Sequence, residues 1–289
     1  MVNWVAAQKP LLHFLVKKAG LRQQTVEIEP GTVMSFWVPK EKYNKKKNPS
    51  KEVVVPEGKS NDSHLNTNDD EKKGENKEKP AVVLVHGFAA EGIVTWQFQV
   101  GQLTSRYAVY VPDLLFFGGS ATGSADRSPE FQAQCLVAAL GRLGVEKCTV
   151  VGFSYGGMVA FKMAEMRPDL VHSLVVSGSV VAMTDSISGE ALNRLGFSSS
   201  AELLLPESIK GLKALLSVAT HKKLWFPDRL YKDYLEVMFN NRKERKELLE
   251  GLVISNRDAK VPVLSQRIFL LWGENDNIFN MDLAKNMKA

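Results

Sequence analysis

Cysteine is scarce. The chain has two in 289 residues, Cys135 inside a helical pattern and Cys148 at the start of an apolar run. That excludes a disulfide framework and fits a reducing compartment. No uncharged apolar run approaches the roughly 20 residues a membrane-crossing helix needs. The N-terminus has no basic start, apolar core and small-residue cleavage site of a leader peptide, so the expected location is cytoplasmic. There is no cluster of metal-ligand residues, no glycine-rich dinucleotide fingerprint and no internal repeat, so neither a metal nor an organic cofactor is expected. Histidine is also sparse: His13, His64, His86, His172 and His221 are all there are.

The remaining composition is that of a globular chain, 44% hydrophobic and 24% charged. The net charge of +5 and pI near 9.0 raise nucleic acid or an anionic membrane as partners. Much of the lysine lies in one polar stretch, however, and Arg242-Lys243-Glu244-Arg245-Lys246 interleaves an acid, so a solvated surface is expected and no nucleic acid is.

Residues 1–39 form a first unit: a helix over 1–22 interrupted by Pro10, then two strands, Thr25–Ile28 and Val33–Val38, turned at Glu29-Pro30-Gly31. The apolar run Leu11–Val16 followed by Lys17 and Lys18 suits a helix packed on the domain, with weak membrane-surface contact as the secondary expectation. Residues 40–79 are dominated by Lys, Asn, Asp and Glu and read as a disordered insertion, with His64 as a solvated loop residue. Residues 80–178 alternate strands and helices: Ala81–Val85, Val94–Ser105, Ala108–Val111, Pro129–Leu143, Cys148–Val151, Met158–Met166 and Val171–Val176. Strands that are apolar throughout and alternate with helices argue a mostly parallel sheet covered on both faces. Residues 179–266 are mostly helical and read as a lid inserted over the carboxyl ends of the strands. Leu203–Leu205, Trp225, Phe226, Tyr231, Tyr234, Met238 and Phe239 are its candidates for lining a pocket or for its own core. Residues 267–289 return to the sheet with the strand Arg267–Trp272.

The most informative stretch is Val150-Val151-Gly152-Phe153-Ser154-Tyr155-Gly156-Gly157-Met158. An apolar strand meets G-x-S-x-G and then a helical pattern, which places Ser154 on a sharp, strained turn with its hydroxyl over the end of the sheet. Gly152 and Gly156 are required because a Cβ at either would collide across the turn. A serine becomes a nucleophile when a histidine takes its proton and a carboxylate orients that histidine. The developing oxyanion needs two N–H donors, for which Tyr155 and Phe88 stand in the right places, after the nucleophile and after the strand ending in His86-Gly87. The acid is expected in Leu270-Leu271-Trp272-Gly273-Glu274-Asn275-Asp276. Asp276 is preferred over Glu274 for its position two residues before Ile278, with Asp185 a weaker alternative. Asp113, between Pro112 and Gly118-Gly119-Ser120, reads as a loop-fixing residue and His86 as structural. His13 and His221 read as ordinary helix and surface residues.

These pieces resemble the α/β-hydrolase fold family, and within it the serine esterase/lipase group. The matching runs are Leu84-Val85-His86-Gly87-Phe88, Pro112-Asp113-Leu114 through Gly118-Gly119-Ser120, Gly152-Phe153-Ser154-Tyr155-Gly156-Gly157 and Leu271-Trp272-Gly273-Glu274-Asn275-Asp276. Gln8-Lys9-Pro10-Leu11-Leu12 and Val26-Glu27-Ile28-Glu29-Pro30-Gly31 are similar to a plant subgroup. The resemblance implies a small hydrophobic ester as substrate, with Ser154 and Asp276 catalytic and Phe88 and Tyr155 in the oxyanion hole. A serine at the elbow argues against the epoxide- and haloalkane-hydrolysing relatives, which carry aspartate there. The family places its histidine beyond the acid, after one more strand, and closes with a helix. This chain has no histidine after His221, and His172 would lie at the opposite edge of the sheet from Ser154. The expectation is therefore a chain truncated before the last strand and helix. Its hydrolytic activity is then in question, and a ligand-binding pseudoenzyme is the alternative.

Overall fold

A computed structural model describes residues 2–43, 78–222 and 224–288. Most of the proposed insertion, with His64, lies outside the described residues.

The chain opens with helix α1 (Trp4–Lys18), started by Asn3, whose side chain accepts the Ala6 N–H. It is one helix, not two: Pro10 sits inside it. The ring removes one intrahelical hydrogen bond, but Val5 before it and Leu12 and Val16 after it pack against the core, on both sides of that gap. Tertiary packing outweighs the local break. Strands β1 (Leu21–Glu29) and β2 (Thr32–Pro39) pair antiparallel through the expected turn. Then come β3 (Ala81–Val85), α2 (Gly92–Leu103), β4 (Ala108–Pro112), the short β5 (Ala121–Thr122), α3 (Pro129–Arg142), β6 (Cys148–Phe153), α4 (Tyr155–Met166) and β7 (Val171–Ser177).

The next strands, β8 (Met183–Thr184) and β9 (Val253–Ile254), pair parallel with each other. They bracket five helices: α5 (Asp185–Leu195), α6 (Ser200–Leu204), α7 (Ile209–Ala219), α8 (Asp228–Met238) and α9 (Arg242–Leu252). Strand β10 (Arg267–Leu270) rejoins the sheet beside β7, and a further helix, α10 (Met281–Lys288), follows the acid loop, where none is expected from the sequence.

Among the described residues the main sheet has eight strands, ordered β1-β2-β4-β3-β6-β7-β10, with β5 paired to β2. The run from β4 to β10 is parallel, and β1 and β2 are antiparallel. Pleating sends alternate side chains of β3 to opposite faces. Val82 and Leu84 pack with Val16, Trp37 and Val100, while Val83 and Val85 pack with Leu136, Val159 and Leu174. Both faces are covered by helices, as an almost unbroken apolar strand requires.

The chain passes from β3 to β4 on one side, then crosses back to β6 on the other. In an open α/β sheet, the crevice outside the carboxyl ends of the strands at such a reversal is where ligands bind. The segments that leave β3 and β6 there are His86-Gly87-Phe88 and Ser154.

Candidate active site

Ser154 stands between β6 and α4 with φ 52° and ψ −123°. It is one of few described non-glycine residues with positive φ, and such a conformation costs of order 1–3 kcal/mol. Its neighbours hold it there. The Ser154 N–H donates to the Ser177 carbonyl at 2.9 Å, and its own carbonyl accepts from Gly157 N–H at 2.8 Å. A Cβ on Gly152 would stand 2.6 Å from both the Gly156 carbonyl oxygen and the Gly157 Cα. One on Gly156 would stand 2.4 Å from the His86 carbonyl oxygen. Only glycine lets the turn close, and the second contact ties it to the segment after β3.

That segment passes directly beside the serine: a Cβ on Gly87 would lie 3.2 Å from Ser154 Cβ. Phe88 follows, buried edge-on against the rings of Phe117 at 5.3 Å and Tyr155 at 5.9 Å. Tyr155 is the first residue of α4, where helix N–H groups have no intrahelical acceptor and the dipole is positive.

His86 is fully buried, with Nε2 accepting the Leu114 N–H at 2.9 Å and Nδ1 2.6 Å from the Gly87 carbonyl oxygen. Burial pulls its pKa down to about 4, so the ring is neutral, with its Nδ1 proton on that carbonyl. The ring is committed to the backbone on both sides. Asp113, also buried, accepts Gly92 N–H at 2.9 Å, and burial raises its pKa to about 7 against the lowering effect of its hydrogen bonds. Its backbone bonds with Ser35 and Ser120 pin the loop after β4 to β2.

Arg245 corrects the expectation of a solvated basic run. It is almost completely buried. The guanidinium lies 4.1 Å from the centre of the Phe117 ring and donates to the Phe116 and Met238 carbonyls and to Asn240 Oδ1. Desolvation lowers its pKa to about 10, which leaves it charged at neutral pH. The signal in the sequence is that Arg245 continues the buried stripe Leu248, Leu249 and Leu252 of α9 one turn earlier.

On the other side of Ser154, Asp276 is half-buried in the loop after β10, while Glu274 is exposed. Asp276 Oδ1 accepts the N–H groups of Ile278 and Phe279, both at 2.9 Å, and Trp272 Nε1 donates to the Phe279 carbonyl at 2.8 Å, closing the loop. Asp276 Oδ2 approaches Gly178 closely enough that a Cβ there would be 3.2 Å away. The carboxylate is thus next to the residue that follows Ser177, the hydrogen-bond partner of Ser154. Asp185 opens α5.

A cavity of about 50 Å³ covers Ser154, lined by Phe88, Tyr155, Met158, Leu203, Leu249 and Phe279 among others. Of the suggested pocket residues, Leu203 and Leu204 line it. Leu205, Tyr231, Met238 and Phe239 are buried among the helices, and Trp225 is exposed. No described histidine lines it. His13 packs on the Trp37 ring, and His221 is exposed. His172 is exposed at the start of β7, the strand next to β6 but at the opposite end of the sheet from Ser154. Among the described residues, no three His, Cys, Asp or Glu side chains are grouped to hold a metal, and no helix is long and apolar enough to cross a membrane.

Residues 80–205 match the family model described as the alpha/beta hydrolase fold. An uncharacterized protein of Mycobacterium tuberculosis is 34% identical over 129 residues, 44% of this chain and 38% of the relative. The matched part is therefore little more than a third of that relative's length. A pimeloyl-[acyl-carrier protein] methyl ester esterase of Aeromonas hydrophila is 38% identical over 101 residues, 35% of this chain and 38% of the enzyme. Epoxide hydrolase 3 of Xenopus tropicalis is 28% identical over 232 residues, 73% of this chain and 62% of the relative. Among solved structures, 2-hydroxy-6-oxo-6-phenylhexa-2,4-dienoate hydrolase from Rhodococcus sp. strain RHA1 superimposes with a TM-score of 0.65 at 18% identity, covering 92% of this chain and 86% of that one. A strand order that reverses beside Ser154, a glycine-closed elbow and these likenesses agree: the chain has the α/β-hydrolase fold.

Proposed function

We propose that the chain is a serine hydrolase of carboxylic esters carrying an apolar acyl or alcohol group. The observation that carries this reading is Ser154 itself, held at positive φ at the carboxyl end of β6, beneath an apolar cavity and beside the Gly87-Phe88 segment. In this scheme Ser154 Oγ attacks the ester carbonyl as its proton passes to an imidazole, which the described cavity lining does not itself supply, and a tetrahedral oxyanion forms. The Phe88 and Tyr155 N–H groups stabilise that charge, the imidazolium protonates the departing alcohol, and water, deprotonated by the same base, releases the acyl group from Ser154 as the carboxylic acid. Asp276 is the carboxylate that would orient that imidazole. A pocket for a small organic ligand usually measures roughly 300–1,000 Å³, so the present 50 Å³ requires α5 and α6, acting as a lid, to move aside before an ester can enter. A serine rather than an aspartate at the elbow favours esters over the epoxides named for some relatives.

One observation supports a second reading. No described histidine lines the cavity, so the Ser154 proton has no imidazole to receive it there. Without that base the oxyanion hole and binding still leave about 10³–10⁴-fold acceleration over water, and a protein of this kind can serve as a binder of hydrophobic esters with little turnover. A fluorophosphonate probe separates the two readings, applied with and without added imidazole and beside a Ser154→Ala control. Labelling of the serine form alone, accelerated by imidazole, is the result expected of a hydrolase. No labelling under either condition, with saturable binding of a hydrophobic ester, identifies the binding protein.

A further inference from the structure

The outer side of α1 is apolar and faces water. Leu12 and Val16 turn inward onto the sheet, and His13 packs on Trp37. On the opposite side Trp4, Leu11, Phe14 and Leu15 are 57%, 60%, 61% and 53% exposed. Positions 4, 11, 15 and 18 follow the helical repeat, so these side chains form a stripe along one face that ends at Lys18. The helix carries no acidic residue, and its last turn holds Lys17 and Lys18, both exposed.

The segment before α8 carries a second exposed apolar group. Tyr231 holds the segment before α8: its hydroxyl donates to the Leu224 carbonyl, and the Phe226 ring packs edge-on to it. Trp225 is left 83% exposed and Leu224 44%. Arg229 donates to the Val2 carbonyl, and the Trp4 N–H donates to Asp233 Oδ2, both at 2.8 Å. These bonds fasten the start of α1, which carries Trp4, to α8, which begins three residues after Trp225. Lys222, exposed, adds a cation just before them.

We infer that this surface docks on an anionic lipid bilayer. Tryptophan is rarely left this exposed in a soluble protein, and it is enriched at the level of lipid headgroups, where an apolar body and one N–H are both satisfied. An acid-free helix that presents leucine and phenylalanine with terminal lysines has the chemistry of a segment lying in the interface plane. Charge complementarity selects the occupant: lysines beside the stripe, and no carboxylate on the helix, favour a negative surface.

The test is co-sedimentation of the full chain with vesicles of phosphatidylcholine alone or mixed with phosphatidylserine. Sedimentation with the mixed vesicles and a blue shift of tryptophan emission are expected. Leu11→Glu combined with Phe14→Glu should weaken binding about tenfold or more, since each removes a side chain's worth of apolar transfer. Trp225→Glu, on a different element, should also weaken it, while Val263→Glu, exposed elsewhere, should not. Lys17→Ala with Lys18→Ala should reduce binding to the mixed vesicles only. The inference falls if the chain ignores mixed vesicles, or if the apolar variants bind as wild type does. It also falls if those variants instead dissolve a lipid-free dimer, which would make the face a protein interface.

Discussion

The two flanks of Ser154 are built differently. Towards β3 and β4, His86, Asp113, Ser120 and Arg245 are all buried, and each is held by named backbone or side-chain partners. Towards β10, Asp276 is half-buried and Glu274 exposed; Ile268 and Phe269 stand 38% and 63% exposed on a strand with a partner on one side among the described residues, and Leu271, just past it, 58%. The first flank fixes backbone N–H groups in a water-free setting, where orientation cannot drift. The second fixes one carboxylate through two N–H bonds and leaves its surroundings wet. Electrostatic stabilisation that must be in place beforehand belongs on the first.

The comparison is broken most severely by Gly156→Ala. The added methyl would meet the Val85 and His86 carbonyl oxygens at 2.5 and 2.4 Å, so the elbow and the segment after β3 must part. About 3 kcal/mol or more of stability should be lost, measured by denaturant unfolding.

A pH series sharpens the buried flank. Asp113, raised to about 7 in the folded chain, keeps a proton that the unfolded chain releases near 3.8. Its contribution to stability is full below pH 3.8 and is lost as pH rises towards 7. His86, lowered to about 4 from 6.5, has the opposite sign: its contribution is full above pH 6.5 and is lost as pH falls towards 4. The two oppose each other over the same window, so the wild-type dependence from this pair is shallow. Asp113→Asn should unmask His86, giving stability that rises steadily between pH 4 and 6.5 in urea melts. A slope unchanged from wild type would refute the opposition.

The smallest effect on stability is expected on the exposed flank. Phe269→Glu removes a ring that is already 63% in water, so stability should change by no more than about 0.5 kcal/mol. Self-association should fall, because an exposed apolar edge strand is a template for pairing. Light scattering across a concentration series reads this directly.

The same contrast governs how much was legible in the sequence. Apolar runs such as Ala81–Val85 and Cys148–Val151 announce strands because both faces are buried, and a serine between glycines on such a strand announces the turn. The bounds of β3 and the start of α3 at Pro129 follow from local chemistry alone. What local chemistry could not give is set at long range. Helix α1 runs through Pro10 because the sheet beneath it supplies the packing. Arg245 is buried because Phe116, at φ 72°, turns a carbonyl towards it from 129 residues away. The β8–β9 pair that closes the neck of the helical segment is too short to leave a pattern. Helix α10 is a single amphipathic stretch of eight residues behind a polar loop, where helical periodicity has little room to repeat.

The fastening of Trp4 to Asp233 has a consequence for synthesis. The acceptor lies 229 residues downstream of the donor. At about 5–20 residues per second, α1 is out of the ribosome for roughly 10–50 s before its partner helix exists. Through that interval Leu12 and Val16, which pack on the sheet in the finished fold, have no complete domain to rest on, and the exposed leucines and rings of the same helix stand beside them. Whatever first shelters them, a chaperone or a lipid surface, meets this helix before the fold does.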